Sequence, residues 1–323
     1  MSGSPCPIPK AECGSTSPAV SMAAPKISSS RSGLTELFEK KMHTKNYLIF
    51  MLLFILSTQV HAQDDELRVR RIFELEAGKP YSFLLKIDAG ELTIRPNPIA
   101  NEVSVLLQFS EEGFEYDFDF DERRRSLEVR FDKDGWVDGN DHDLNAEVEV
   151  LLPSAALLDI ESEVKAGEVD LELGGLSITS FAFKAWAGSI DIDFKEPNRV
   201  RMESFTISTK VGETTLRRLG NARFRDALIN NGIGELDVDF KGEKVEDARV
   251  DIDLDIGETR IYIPEEYGVK LRVSKFLFLS QTSLPRRLRK SGKYYYSENY
   301  DSAQGVLRLL VSPGIGELRI VYR

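Results

Sequence analysis

The sequence predicts an all-β protein built as a β-solenoid, with repeats of about 21–24 residues stacked in two layers. Three observations lead there. A motif of glycine, an acid and alternating aliphatics recurs at Gly167, Gly188, Gly212, Gly234 and Gly257, with spacings of 21, 24, 22 and 23 residues. Each period holds a second turn, at Gly174-Gly175, Glu196-Pro197-Asn198, Gly220-Asn221, Gly242-Glu243-Lys244 and Pro264 to Gly268. From Glu66 onward, short alternating stretches bounded by turn residues replace any sustained helical period. At ~3.3 Å per residue, such a period traces roughly 70 Å, which suits a flattened coil of two strands in layers about 10 Å apart. Periodicity does not reveal which strand pairs with which, so an antiparallel meander with the same turns stays open.

Residues 1–41 are rich in Ser, Pro, Ala and Gly without apolar periodicity, the composition of a disordered extension. Met42 then opens a secretory signal peptide, residues 42–62: a basic stretch around Lys45, an apolar run from Tyr47 to Leu56, and the small-residue site Val60-His61-Ala62. That run is about half the ~20 residues a membrane-spanning helix needs. Because the signal is complete without residues 1–41, these read as an over-extended start, and cleavage is expected after Ala62.

The mature chain, residues 63–323, is expected to be one β-solenoid domain with no transmembrane span. Export takes away 6 basic and 3 acidic residues, leaving 36 against 50 and a net charge of −14. Such a charge disfavours nucleic acid as a partner. Both cysteines, Cys6 and Cys13, lie in the discarded part, so the mature chain has no thiol chemistry and no cysteine for a lipid anchor. The expected location is the periplasm, the cell surface or the medium.

Strands are expected at Leu67–Leu75, Tyr81–Ile87, Glu91–Arg95, Glu102–Phe109, Phe114–Phe120, Ser126–Phe131 and Ala146–Leu152, with an acidic loop from Asp132 to Asp143. The repeats run from Leu158 to about Lys275. Positions two, four and six after each glycine, such as Val169, Leu171 and Leu173 or Leu236, Val238 and Phe240, face the core. Each contributes ~1.5–3 kcal/mol if fully buried. The glycine belongs at a turn that needs positive φ.

Stacked in register, Glu168, Glu213, Glu235 and Glu258 form a column interrupted by Ser189. The outward positions give two more arrays, Asp170, Asp191 and Asp237, then Glu172, Asp193, Arg217 and Asp239, with Arg217 falling between Asp193 and Asp239. Like charges one strand apart in water repel by roughly 0.9 kcal/mol, tolerable on a wet sheet charged against aggregation. A cation-binding or polymer-contacting face is the functional alternative.

An insertion from Ser283 to Tyr300 breaks the rhythm. It holds the densest basic cluster, Arg286, Arg287, Arg289, Lys290 and Lys293, followed by Tyr294, Tyr295 and Tyr296. Cations beside aromatic rings suit phosphate- or carboxylate-bearing polymers, which makes these eight residues the candidate interaction surface. The plainer reading is a protruding solvated hairpin.

The stretch from Asp255-Ile256-Gly257-Glu258-Thr259-Arg260-Ile261 through Val269-Lys270-Leu271, then Ser297-Glu298-Asn299-Tyr300 and Gly314-Ile315-Gly316-Glu317-Leu318-Arg319-Ile320, resembles the C-terminal domain of LiaF-like cell-wall-active antibiotic response proteins. The earlier copies, with the entry pattern Lys86 to Ile94, resemble the broader "putative adhesin" or "toastrack" domains. The resemblance covers most of residues 66–323. It implies a right-handed β-solenoid-like fold, an envelope or extracellular setting, and no catalytic residues to carry over. LiaF-type proteins place several transmembrane helices before this domain, whereas only a signal peptide precedes it here.

Catalysis finds little to work with. His142 is the sole mature histidine, which removes Cys- and His-based triads and Cys/His zinc sites. No cofactor is expected. Calcium is compatible with the acids and glycines of the 132–143 loop, but Trp136 occupies a position where the EF-hand pattern needs Asp or Asn, so a solvated loop is preferred. The sequence thus points to an exported, non-enzymatic envelope or extracellular protein that acts by adhesion or interaction with a glycan or protein. A regulatory module of envelope stress and a carboxylate-dependent glycan enzyme are the alternatives.

Overall fold

The structure is a computed structural model and describes residues 66–110, 113–133, 146–243, 246–274 and 280–323. The expected extension, signal peptide and most of the acidic loop, including His142 and Trp136, lie outside the described residues.

The chain opens with β1 (Glu66–Glu74), β2 (Pro80–Pro96), β3 (Glu102–Ser110), β4 (Phe114–Asp121), β5 (Ser126–Lys133) and β6 (Ala146–Leu152). The repeats form β7 (Leu157–Glu172), β8 (Ile178–Asp193), β9 (Met202–Arg217), β10 (Phe224–Asp239) and β11 (Ala248–Ile263). The last part contributes β12 (Gly268–Val273), β13 (Ser280–Ser283), β14 (Arg289–Ser291), β15 (Tyr294–Tyr296), β16 (Val306–Ser312) and β17 (Ile315–Tyr322).

The open question of pairing resolves in favour of the solenoid. β2, β7, β8, β9, β10 and β11 stack parallel, and their glycines align as Gly90, Gly167, Gly188, Gly212, Gly234 and Gly257, with Gly316 of β17 continuing the column. Each coil is one long strand bent at its glycine, where two separate strands were expected, because ladder pairing continues through the corner. Inward positions change parity there: Leu158, Ile160, Ser162 and Val164 are buried before the bend, Val169 and Leu171 after it. The two limbs therefore face each other across one core.

The corner tolerates only glycine, for two reasons that act together. At Gly234 φ is +140°, and a Cβ there would sit 1.8 Å from the carbonyl oxygen of Gly212. An L-residue is strained at such φ, and the clash is with backbone that other ladder pairings hold in place.

The other turns are held by buried side chains. Asn198, fully buried, donates its amide to the carbonyls of Ile178 and Val200 and accepts from the Ile178 N–H. Asn221 donates to the Phe194 carbonyl and accepts from the Glu243 N–H. Backbone groups leaving the ladder need partners, and asparagine supplies both a donor and an acceptor.

The same need overturns part of the expected acidic arrays. Glu172 and Asp193 are buried, not outward: Glu172 accepts the N–H groups of Gly174 and Lys195, and Asp193 takes the Arg218 guanidinium. Arg217 turns instead to Asp191, 2.5 Å away. The glutamate column is as expected, extended by Glu91 and Glu317, and Arg260 bridges Glu235, Asp237 and Glu258.

Both ends depart from chain order. At the first, the outermost coil is β5 followed by β6, paired parallel to the two limbs of β2, so β2 lies between them and β7. Antiparallel strands extend this end, β4 on β5 and β3 on β6, with β1 on β3. At the second, β16 and β17 lie between β11 and the outer pair β12 and β13. β15 and then β14 are added antiparallel to β12.

A single apolar core runs through these coils. Phe181 and Phe224 stack on either side of Phe205 at 5.4 and 5.9 Å. At the first end Phe73 of β1 meets Phe118 and Phe120 of β4 at 6.4 and 5.1 Å, joining the two layers.

Candidate interaction surface

Six of the eight candidate residues, Arg289, Lys290, Lys293, Tyr294, Tyr295 and Tyr296, come together in a short hairpin, β14 and β15, added to the edge of β12. Pairing sets their faces. Tyr295 is opposite buried Leu271 and packs toward the core, with the Lys290 ammonium 5.7 Å from its ring. Tyr294 and Tyr296 take the opposite, outer face, so the three tyrosines do not act as one patch.

On that outer face the structure adds two residues outside the sequence-derived set. Lys270 of β12 is opposite Tyr296, and its ammonium lies 4.5 Å from the Tyr294 ring and 6.0 Å from that of Tyr296. Tyr300 packs edge-on against Tyr296 at 5.0 Å. Lys293 approaches Tyr294 at 5.4 Å. A cation held over an aromatic face keeps its charge while part of its hydration shell is replaced.

The pairing register extends this site into a row. Arg289 is opposite Tyr296, Tyr296 opposite Lys270, Lys270 opposite Arg308, and Arg308 opposite Arg249. Three adjacent strands thus present cations side by side, an arrangement that disfavours the sheet by roughly 0.9 kcal/mol per neighbouring pair in water. Asp247 relieves Arg308 at 3.4 Å and Asp226 relieves Arg249 at 3.6 Å. The outer face here is therefore basic and aromatic, on a chain that is acidic overall.

The remaining candidates are arranged differently. Arg287 is held by Glu265 at 2.6 Å and Arg289 by Glu298 at 3.4 Å, while Arg286 is exposed before β14. Glu265, Arg287, Ser297, Glu298, Asn299 and Tyr322 line a hollow of about 160 Å³ beside the hairpin. Burial pushes the Tyr322 phenol up to about 12, against the opposing pull of Ser297 and Arg287.

Sequence reasoning missed Lys270, Tyr300, Arg308 and Arg249. A signal for the first was present, since the inward alternation of Val269 and Leu271 puts Lys270 outward. Nothing local joins residues 249, 270, 289 and 308, because pairing out of chain order brings them together.

Residues 61–217 match the model of the N-terminal domain of toast_rack, and residues 210–320 match that of the C-terminal part of LiaF, of the cell wall-active antibiotics response. The two matches overlap within β9, inside an unbroken run of parallel coils, so they divide one solenoid between them. No curated protein matches the chain. Among solved structures, a "putative cell adhesion protein" from Clostridium sporogenes is 16% identical, covering 80% of this chain and 100% of its own, with a TM-score of 0.41. A "putative adhesin" from Bacteroides fragilis is 8% identical over 79% of this chain and 97% of its own, with a TM-score of 0.36.

Proposed function

Taking as premise a β-solenoid whose first part is toast-rack and whose second part is LiaF-like, we propose that this is an exported, non-enzymatic protein of the cell envelope or cell surface. It acts by adhesion, through the outer face around Lys270, Tyr294, Tyr296 and Tyr300. The observation that supports this most is the cation row from Arg249 through Arg308 to Lys270, ending on the tyrosine wall. Asp247 and Asp226 offset part of the repulsion at Arg308 and Arg249, while Lys270 meets tyrosine rings and makes no ion pair among the described residues, so an anionic ligand would offset what remains. Tyrosine faces accept sugar rings and the cations accept phosphate or carboxylate, so a glycan polymer carrying acidic groups fits the face.

The test is binding of the protein to isolated envelope polymer before and after Lys270→Gln together with Arg308→Gln. At ~1 kcal/mol or more for each charge-assisted contact, affinity should fall at least tenfold. Unchanged affinity would remove the proposal. A second reading is a regulatory module in envelope stress, supported by the LiaF-like match over residues 210–320, which contain this face. It predicts retention of a membrane protein partner, with no dependence on polymer.

A further inference from the structure

The two limbs of the coils form two layers, and the first-limb layer runs without interruption from β4 at one end to β14 at the other. Among the described residues β4 pairs only with β5, and β14 only with β15, so each presents an unpaired backbone edge. The edges carry opposite charge. β4 reads Phe114-Glu115-Tyr116-Asp117-Phe118-Asp119-Phe120-Asp121, with four acids and no base. The stretch from Leu284 to Tyr296 carries Arg286, Arg287, Arg289, Lys290 and Lys293 and no acid; Arg287 and Arg289 are paired with Glu265 and Glu298 outside it, which leaves Arg286, Lys290 and Lys293 without an ion pair among the described residues. Glu115, Asp117 and Asp119 are exposed; Arg130, opposite Asp117, is bound by Glu128, and none of the three acids is in an ion pair among the described residues.

Charged edge strands ordinarily prevent sheets from joining, because like meets like. Here that holds for acidic edge against acidic edge and for basic against basic, but not for one end against the other. Direction agrees as well. β4 is antiparallel to β5, whereas β14 runs in the same direction as the coils, being antiparallel to β15, which is antiparallel to β12. Placed side by side, β4 of one copy and β14 of the next form an antiparallel ladder.

Register agrees too. One cross-strand row runs from Asp121 through Ser126, Ser82 and Asp159 to Asp226, Arg249, Lys270 and Arg289. A copy that continues this row sets Arg289 against Asp121 and Ser291 against Asp119. The hairpin tip with Lys293 then lies toward Asp117.

We propose that copies of this protein associate head to tail, the acidic β4 edge of one pairing with the basic β14 edge of the next. The occupant is a second copy, and the contact goes beyond the adhesive reading because it uses the backbone edge of the hairpin, not its outer tyrosine face. β14 is short, and Arg286 approaches the Arg123–Arg125 turn in this register, so the contact is weak and reversible, in the small-interface class. Its consequence is a row of tyrosine faces that engages a polymer at several points at once.

Sedimentation velocity of the purified protein over a concentration series tests this. At low ionic strength the sedimentation coefficient should rise with concentration, and about 1 M salt should abolish the rise by cutting the screening length to ~3 Å. Asp117→Lys with Asp119→Lys, and separately Arg289→Glu with Lys290→Glu, should each lose the rise, while an equimolar mixture of the two should regain it. A second measurement does not depend on charge. With Cys6 and Cys13 replaced by serine, Asp119→Cys protein mixed with Ser291→Cys protein should form a disulfide-linked dimer on oxidation, in higher yield than Asp119→Cys mixed with a control Gly78→Cys protein.

Monomer at every concentration without such a dimer, or association that both reversals leave intact, would overturn the inference. Polymer binding reads out separately. Tyr294→Ala with Tyr296→Ala should weaken it and leave sedimentation unchanged, so failure of the head-to-tail contact and failure of the adhesive reading give different results.

Discussion

The interior coils and the end coils solve the same problem by opposite means. In β7 to β11 each coil repeats its neighbour, with glycine on glycine and apolar side chain on apolar side chain except at buried polar positions such as Thr209, Thr214, Asn231 and Thr259, and the turns are held by buried side chains such as Asn198 and Asn221. At the ends the repeat stops. The outer coils β5–β6 and β12–β13 are each made of two separate strands, and antiparallel strands carrying charge and aromatic rings lie outside them. Repetition gives a continuous apolar core, and the cation row and the tyrosine faces lie where repetition fails.

The sharpest contrast is between two glycines of positive φ. Gly234 in the interior ladder has φ +140° and the Gly212 carbonyl oxygen 1.8 Å from a Cβ position, whereas Gly292 at the hairpin tip has φ +61° and open space around it. Gly234→Ala should cost about 4 kcal/mol or more, enough to prevent folding or lower the melting temperature steeply. Gly292→Ala should cost only the left-handed penalty, about 1–2 kcal/mol. Equal melting temperatures for the two variants would show that φ alone matters and that close stacking of backbones does not.

A smaller difference separates the aromatic residues. Phe205 is fully buried between Phe181 and Phe224, so Phe205→Ala should lose about 3–5 kcal/mol in denaturant unfolding. Tyr295 is half-buried at the end, and Tyr295→Ala should lose about 1–2 kcal/mol. A larger loss at Tyr295 would mean that the second end, not the interior, governs stability.

The last effect is one of pH and shows only under alkaline conditions. Burial pushes the phenols of Tyr267 and Tyr322, both near the second end, up to about 12 from an ordinary value of 10. Folding favours their neutral forms, so this contribution is complete below pH 10 and is lost as pH rises through about 12. Alkaline unfolding should therefore begin at the second end, and Tyr322→Phe should flatten the decline in stability above pH 10. An unaltered decline would place the alkaline weakness elsewhere.

Much of the interior was legible in the sequence. Val169, Leu171, Ile190, Ile192, Leu236 and Val238 are buried as alternation requires, and the glycines stand where positive φ is needed. The errors concern turns. Glu172 and Asp193 follow the outward pattern of a strand, but they reach the strand end, where unpaired backbone N–H groups and a neighbouring arginine draw them inward. Alternation describes a strand and carries no information about the turn that ends it.

By itself the sequence determined the repeating unit, because period-two burial and a strained glycine are local consequences of residue type and spacing. Only the tertiary structure decided the order of coils at the ends, with β2 inside β5–β6 and β16–β17 inside β12–β13. That order, in turn, set Arg249, Arg308 and Lys270 in one cross-strand row that ends at the tyrosines of the hairpin. The physical reason is that equivalent coils present nearly equivalent edges, so nothing local distinguishes one insertion point from another. The choice rests on the summed pairing and burial of whole strands far apart in the chain.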